Sequence, residues 1–469
     1  MAARPDKPPL PSVDVLSSLR EDGSRRFLFP ADVSGRFTHI RNVTFALLGA
    51  LLFALPWLSV GGHPAVMLDI SARTLYVLGR AFRAQDTFLL FFLVSGVGFG
   101  LVATTTLFGR LWCGFACPQT VFVEGVFRRL ERWVEGPAAA RRKLAEGPWT
   151  GEKLVKRLSL HAAYLAAATL IAHTILGYFF PIRSLFGLLA QGPLAHPVAF
   201  LWTTAVTALC YFDFGFFREQ FCIVMCPYGR LQSTMTDPDT RVVGYDVVRG
   251  EPRGKLHVLQ GATGGPPPGD CIDCRRCVAV CPTGIDIRHG LSQLECVGCM
   301  ACIDACDEVM TKVNRPVGLV RFDSEKGFAG QPSRLVRPRT LAYAAAGLAG
   351  LLVAGTVLAR SPTVFEATVG RPLGAPYVVE DGRLRNMAHL HVVSKSSSPL
   401  TLTVSADAAG FEALLPAPTV TLSPLGAADI PIVLSSPWPA AIAHRDAVIH
   451  LTDAQSGERH DLVLRINTP

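Results

Sequence analysis

Five apolar runs constrain this chain more than any other feature. They lie at approximately 40–60, 87–108, 158–181, 195–217 and 340–359. Each is long enough to cross a hydrocarbon core of about 30 Å, which takes about 20 helical residues. Their interiors carry one acidic residue, Asp213, and almost no other charge. Composition agrees, since only 17% of residues are charged where soluble domains run near 25%. The 469 residues leave room for soluble parts as well, at about 150 residues per domain.

The net charge of +8 raises the question of a nucleic-acid partner, but the basic residues follow the loops. The first 41 residues hold seven Lys and Arg, loop 61–86 holds three, and loop 109–157 holds ten. Loop 182–194 holds one, and segment 218–339 holds sixteen. That alternation predicts five spans with a cytoplasmic N-terminus. The basic balance reports orientation, and no nucleic acid is expected. Ser24-Arg25-Arg26 only loosely resembles a twin-arginine export signal, because the apolar run starts over ten residues later.

The spans divide the chain. Residues 1–38 read as a polar cytoplasmic arm, and 39–226 as a transmembrane domain with the first four spans. Segment 65–83 reads as an amphipathic interfacial stretch, and Thr120–Lys143 as a surface helix on the membrane. Residues 227–339 form a cytoplasmic unit, with 237–270 read as loop closing in Gly/Pro-rich Gly261–Gly269, and 340–359 is the fifth span. From 360 to 469 the texture changes to short alternating runs such as His389–Val393, Leu400–Val404, Ala447–Leu451 and Leu462–Ile466. These predict an all-β, immunoglobulin-like sandwich outside the cytoplasm. The small-residue ladder Ala342, Ala346, Gly350, Ala354 lets the fifth span pack closely, either on the other spans or in a homodimer.

Thirteen cysteines cannot all pair, and none falls in the β region. Cys271-x2-Cys274-x2-Cys277-x3-Cys281-Pro282 is the bacterial ferredoxin run, and Cys296-x2-Cys299-x2-Cys302-x3-Cys306 repeats it. In two-cluster ferredoxins the fourth cysteine of each run ligates the other cluster. Cys271, Cys274, Cys277 and Cys306 would therefore hold one 4Fe–4S cluster, and Cys281, Cys296, Cys299 and Cys302 the other. Zinc is the competing use of paired CxxC spacing, but two identical four-cysteine runs argue for clusters and a ferredoxin-like fold.

Two further pairs, Cys113-x3-Cys117-Pro118 and Cys222-x3-Cys226-Pro227, follow the second and fourth spans like an internal repeat. If the helix continues to each Pro, each pair lies on one helix face at i and i+4, and Glu124 joins the first pair. Such soft thiolates suit Cu(I); a redox dithiol and inert buried cysteines are the alternatives. Cys210 reads as a packed apolar residue. His161 and His173, twelve residues apart, fall on different faces, and Asp213 is an intramembrane candidate.

Several stretches carry a resemblance. Gly109-Arg110-Leu111-Trp112-Cys113-Gly114-Phe115-Ala116-Cys117-Pro118-Gln119-Thr120, Pro56-Trp57-Leu58, Leu68-Asp69-Ile70 and Gln85-Asp86 are its early signatures. Tyr245-Asp246, Arg249–Gly254 and Ala301–Asp307 continue it. With these the chain resembles the CcoG/FixG/RdxA cytochrome oxidase accessory proteins over nearly its whole length. His63 stands where that family has Gln, and Val393-Ser394-Lys395 differs from its Asn-containing strand. The resemblance implies a multi-pass bacterial inner-membrane Cu(II) reductase serving cbb3-type oxidase assembly. It also implies a periplasmic C-terminal domain, and partners that include a copper P-type ATPase and a cytoplasmic copper chaperone. Cys113, Cys117, Cys222 and Cys226 would then be the copper and catalytic residues. The readings from a different class are a quinol-oxidising electron-transfer subunit and a non-redox copper scaffold.

Overall fold

A computed structural model describes residue 18 and residues 25–467, apart from 71, 83–86, 255–268, 292, 361–363, 373–374, 376, 397, 409 and 439–445. Most of the N-terminal arm, Ser24 of the arginine motif, Gln85-Asp86 and most of the Gly/Pro-rich loop lie outside the described residues. Two compact units emerge, one from residues 1–56 and 90–353 and the other from 57–89 and 354–469.

Among the described residues, five helices are long and apolar enough to cross a membrane: Arg36–Trp57, Phe88–Phe108, Gly151–Leu176, Pro197–Phe217 and Pro338–Arg360. The chain is a multi-pass membrane protein. The first helix starts earlier than its apolar run because Asp304 caps it, accepting from Thr38 N at 2.7 Å and Phe37 N at 3.2 Å. Its α-helical part ends at Ala54, two residues before Pro56, and a tighter turn, Leu55–Trp57, completes it. The third also starts early, at Gly151, where the Thr150 side chain accepts from Lys153 N at 3.3 Å. A side chain at Thr150 thus fixes where the polar start of this helix begins.

The fifth helix packs on the second through glycines. A Cβ on Gly350 would lie 2.9 Å from the Gly96 Cα, and one on Gly347 would lie 2.9 Å from Gly100 N. Small residues let two backbones approach this closely. The ladder therefore serves packing within the chain, with Gly347 in place of Ala346.

Thr120–Lys143 is not one surface helix. Helix Pro118–Phe122 runs through a wide π-type turn, Val123–Phe127, into helix Arg128–Glu135, and Gly136 (φ 90°) with Pro137 ends it. Phe122, Val123 and Phe127 bury against Leu160, Tyr164, Cys210 and Phe214 of the third and fourth spans. Arg128 is buried too, which the hydrophobic period alone could not show.

The polar part of this unit is built on a two-stranded antiparallel ribbon. Arg241–Tyr245 pairs with Val320–Ser324, Arg241 opposite Ser324 and Tyr245 opposite Val320. Residues 237–270 are thus not all loop, since a strand and the short helix Val247–Gly250 lie within them. Helix Ala301–Lys312 and the cysteine turns pack on the ribbon around Val243, Tyr245, Ile285, Ile303 and Met310.

The second unit is β-rich. One antiparallel sheet centres on Arg383–Ser394 and Ala427–Pro437, flanked by Phe365–Gly370, Val378–Glu380 and Glu412–Leu414. The other runs Thr419–Leu422, Leu400–Asp407, Asp446–Asp453, Arg459–Arg465. Inward side chains of both sheets, among them Leu390, Ile432, Leu402 and Ile449, form one core. Segment 65–83 is a correction. It is a three-stranded meander, Val66–Asp69, Thr74–Val77 and Arg80–Phe82, and it groups with this unit. Met67, Tyr76 and Ala81 lie opposite one another across the three strands and form a small core, and burial alternates along Thr74–Val77. His63 stacks on Tyr76 at 5.3 Å, and its Nε2 lies 3.1 Å from the Lys395 carbonyl oxygen. The two positions that depart from the family pattern therefore meet.

Candidate metal centre

Both CxxxCP pairs have the same local shape, and it is not a continuous helix. Cys113 lies in helix Leu111–Phe115, while Cys117 is extended (φ −63°, ψ 127°) ahead of the helix that Pro118 begins. Cys222 lies in a π-type turn, Phe221–Met225, and Cys226 is again extended (φ −67°, ψ 111°) before Pro227. A residue before proline is pushed out of the α region by the ring. The i,i+4 geometry predicted for the thiols is therefore replaced by a kink at each second cysteine. The kink also removes Glu124 from the face of Cys113; Glu124 pairs with Arg128 instead.

The fold brings the two pairs together. Burial pushes the Cys113 thiol up to about 12, and Cys117 and Cys226 nearby add to the effect. Burial likewise raises Cys222, with Cys117, Cys113 and Cys226 as its like-charged neighbours. The Cys113 Sγ faces Gln232 Oε1 at 3.7 Å. Gln119, next to Pro118, donates through Nε2 to Asp213 Oδ1 and to the Arg218 carbonyl, both at 3.1 Å. That bond locks the first repeat to the second and gives Asp213 a structural partner. His161 instead meets Tyr211 and His173 meets its own helix at Thr169, so neither approaches the thiols.

The eight cysteines of the two ferredoxin runs line two small cavities. One is bordered by Cys277, Cys281, Cys296, Cys299 and Cys302. The other is bordered by Cys271, Cys274, Cys277 and Cys306. Burial raises Cys306 to about 12 with Cys274 and Cys271 as neighbours, and Cys296 to about 12 with Cys299 and Cys281. Among the described residues no three His, Cys, Asp or Glu side chains converge as ligands of a single ion. Ligands of different irons in one cluster stand further apart than ligands of one ion, so the donor set and the cavities fit iron–sulfur clusters. Arg288 rivets the first turn by pairing with Asp273 and Asp286, each at 2.6 Å.

Thiol group and cluster turns share one buried patch. Cys113, Cys222 and Cys302 pack against Val280, Val297, Cys299, Ala301 and Ala305. A Cβ on Gly114 would stand 2.5 Å from the Gly298 carbonyl oxygen, so helix Leu111–Phe115 rests directly on the Cys296–Cys299 turn. Gly298 itself has φ 67°, in the left-handed region that favours glycine. Arg110 lies between the sites. Its guanidinium donates to the Gly229 carbonyl at 2.5 Å and to that of Leu294, and its charge favours thiolate at both Cys113 and Cys296.

A buried ionic network joins the same elements. Arg128, 1% exposed, pairs with Glu124 and Glu219 and donates to the Pro282 carbonyl at 3.0 Å. Glu219 also pairs with Arg25 at 2.7 Å. Glu131 takes Arg141 at 2.7 Å, Arg218 and the Tyr164 hydroxyl. Although burial opposes it, this cationic surrounding holds the Glu131 carboxyl below the usual range. Sequence reading missed Arg128, Glu219, Asp304, Gly114 and Gly298. Only Asp304 left a signal, as the acid inside Cys302–Cys306.

The fold and these sites define a membrane-embedded iron–sulfur protein of the dicluster class, an oxidoreductase built for electron transfer. A 4Fe–4S dicluster domain model matches residues 217–325, and a 4Fe–4S binding domain model matches 89–137. The chain is 40% identical over 310 residues to the nitrogen fixation protein FixG of Rhizobium meliloti, covering 65% of this chain and 58% of FixG. It is 35% identical to RdxA of Cereibacter sphaeroides (81% of this chain, 82% of RdxA). RdxB of the same organism is 35% identical over 94% of this chain and 96% of RdxB. A crystal structure of a FixG-related protein from Vibrio parahaemolyticus aligns at 16% identity and TM-score 0.20, covering 22% of this chain and 94% of that one. The chain belongs to the FixG/CcoG/RdxA family.

Proposed function

We propose that this protein reduces Cu(II) to Cu(I) at Cys113, Cys117, Cys222 and Cys226, for copper delivery in cbb3-type oxidase assembly. The observation that carries the reading is that Cys113 and Cys222 pack on the same buried patch that contains Cys299. In this reading Cys271, Cys274, Cys277 and Cys306 hold one 4Fe–4S cluster, and Cys281, Cys296, Cys299 and Cys302 the other. When bound, the clusters supply the one-electron chemistry the reaction needs. The chain's own groups do the rest. Thiol protons leave as copper, the substrate, is taken up, because only thiolates ligate. Soft sulfur ligands favour the Cu(I) product over Cu(II). The Arg110 charge eases thiolate formation at Cys113, and the apolar patch keeps water out.

Family membership supports a bacterial inner-membrane location, and the alternation of basic loops supports a cytoplasmic N-terminus and cluster domain. With five spans, the C-terminal domain, read as immunoglobulin-like, is periplasmic in this reading. A cytoplasmic copper chaperone and a copper P-type ATPase are the partners this reading implies.

The test is anaerobic purification, iron counting and Cu(I) titration against a competing chelator. Two clusters predict about eight irons per chain, unchanged in Cys113→Ser/Cys117→Ser, with Cu(I) uptake lost in that variant. A second reading is favoured by the 4Fe–4S binding model over 89–137 and by thiols that do not converge on one ion. It assigns the four thiols a third cluster. About twelve irons, falling by four in the variant, would establish it instead.

A further inference from the structure

A cavity open to solvent lies where the start of the first span meets helix Arg128–Glu135 and the turn after Cys281. Phe45, Trp133 and Pro282 supply apolar wall, and Arg41, Arg129 and Arg132 supply charge. Two of these arginines are occupied. Arg132 pairs with Asp32 at 2.7 Å, and Arg129 donates to Asn42 Oδ1 at 2.8 Å. Glu124, the other acid on the wall, is held by Arg128.

Arg41 differs. It is 8% exposed, and among the described residues its buried Nε and Nη1 have no hydrogen-bond partner. The Phe45 ring lies 5.8 Å from its guanidinium carbon. An arginine near the end of a span ordinarily snorkels to water. A buried charge without a counter-ion is costly, and here the side chain has an open cavity in front of it.

We propose that this cavity binds a phosphate anion, with Arg41 as its principal ligand. Guanidinium groups match phosphate oxygens in a planar two-point fashion. The aromatic walls and the position at the first span suit the phosphate of an anionic phospholipid headgroup. Free phosphate offers the same chemistry to Arg41 without using the apolar wall.

The experiment uses the full chain in detergent and follows thermal unfolding. Its arms are titration with phosphatidylglycerol, with phosphatidylcholine and with inorganic phosphate. A ligand that binds only the folded state raises the melting temperature. Phosphatidylglycerol should raise it in the wild type, with the rise lost in Arg41→Gln and partly kept in Arg41→Lys. A rise with inorganic phosphate, equally dependent on Arg41, would support the site and name the free anion as its source. Equal shifts in wild type and Arg41→Gln, or no shift with either anion, overturn the proposal. Iron content, measured on every variant, reports folding independently. If Arg41→Gln loses its iron, the comparison is carried by Arg41→Lys and by phosphatidylglycerol against phosphatidylcholine in the wild type.

Discussion

Gly114 and Gly298 meet backbone to backbone, with room for no side chain between them: a Cβ on Gly114 would stand 2.5 Å from the Gly298 carbonyl oxygen. The contact seats the Cys113 helix on the turn between Cys296 and Cys299. Gly114→Ala should force these elements apart at a cost of about 1–3 kcal/mol. The expected outcome is a lowered melting temperature and slower copper reduction, with full iron content. Unchanged melting and turnover would show that the contact has no role.

Arg128 answers two glutamates and the Pro282 carbonyl at once. Arg128→Met leaves Glu124 and Glu219 buried without their common partner, which costs about 3–5 kcal/mol for a broken buried pair. Arg128→Lys should not rescue it, because an ammonium cannot span three acceptors in a fixed fork. Yield of folded protein and melting temperature check both variants.

Asp304 sits in the cluster unit yet caps the first span, also accepting from the Thr38 hydroxyl at 2.7 Å. Asp304→Ala should cost about 1 kcal/mol or more from the cap alone. Faster amide exchange at Phe37 and Thr38 than in wild type is the specific readout.

The pH dependence follows from the thiols. Burial raises Cys113 to about 12 from an ordinary 9.0, so at neutral pH it carries its proton. Without metal, its contribution to stability is fully present below pH 9.0 and is lost as pH rises toward about 12. On the proposed reading copper displaces that proton, so affinity should rise with pH, and copper uptake in weak buffer should release protons. A pH-independent affinity would contradict the account.

Much of this architecture was legible because it rests on local chemistry. Twenty apolar residues in a row have few alternatives to a span, and eight cysteines in two ferredoxin runs state their spacing outright. What stayed hidden depends on distant neighbours. Arg128 reads as one of several surface arginines until Glu219, 91 residues away, is seen beside it. Met67 and Tyr76 look interfacial because strands of three or four residues hardly show their period. The bend at Cys117 was the nearest miss, since Pro118 already argued against a continuous helix there.

The central claim is reduction of copper at the four thiols. The most direct measurement is anaerobic paramagnetic resonance of the reduced protein mixed with Cu(II). The account predicts loss of the Cu(II) signal coupled to cluster oxidation in the wild type. Cys113→Ser/Cys117→Ser, with its clusters spectroscopically intact, should leave the Cu(II) signal standing. Loss of that signal at the same rate in the variant would contradict it.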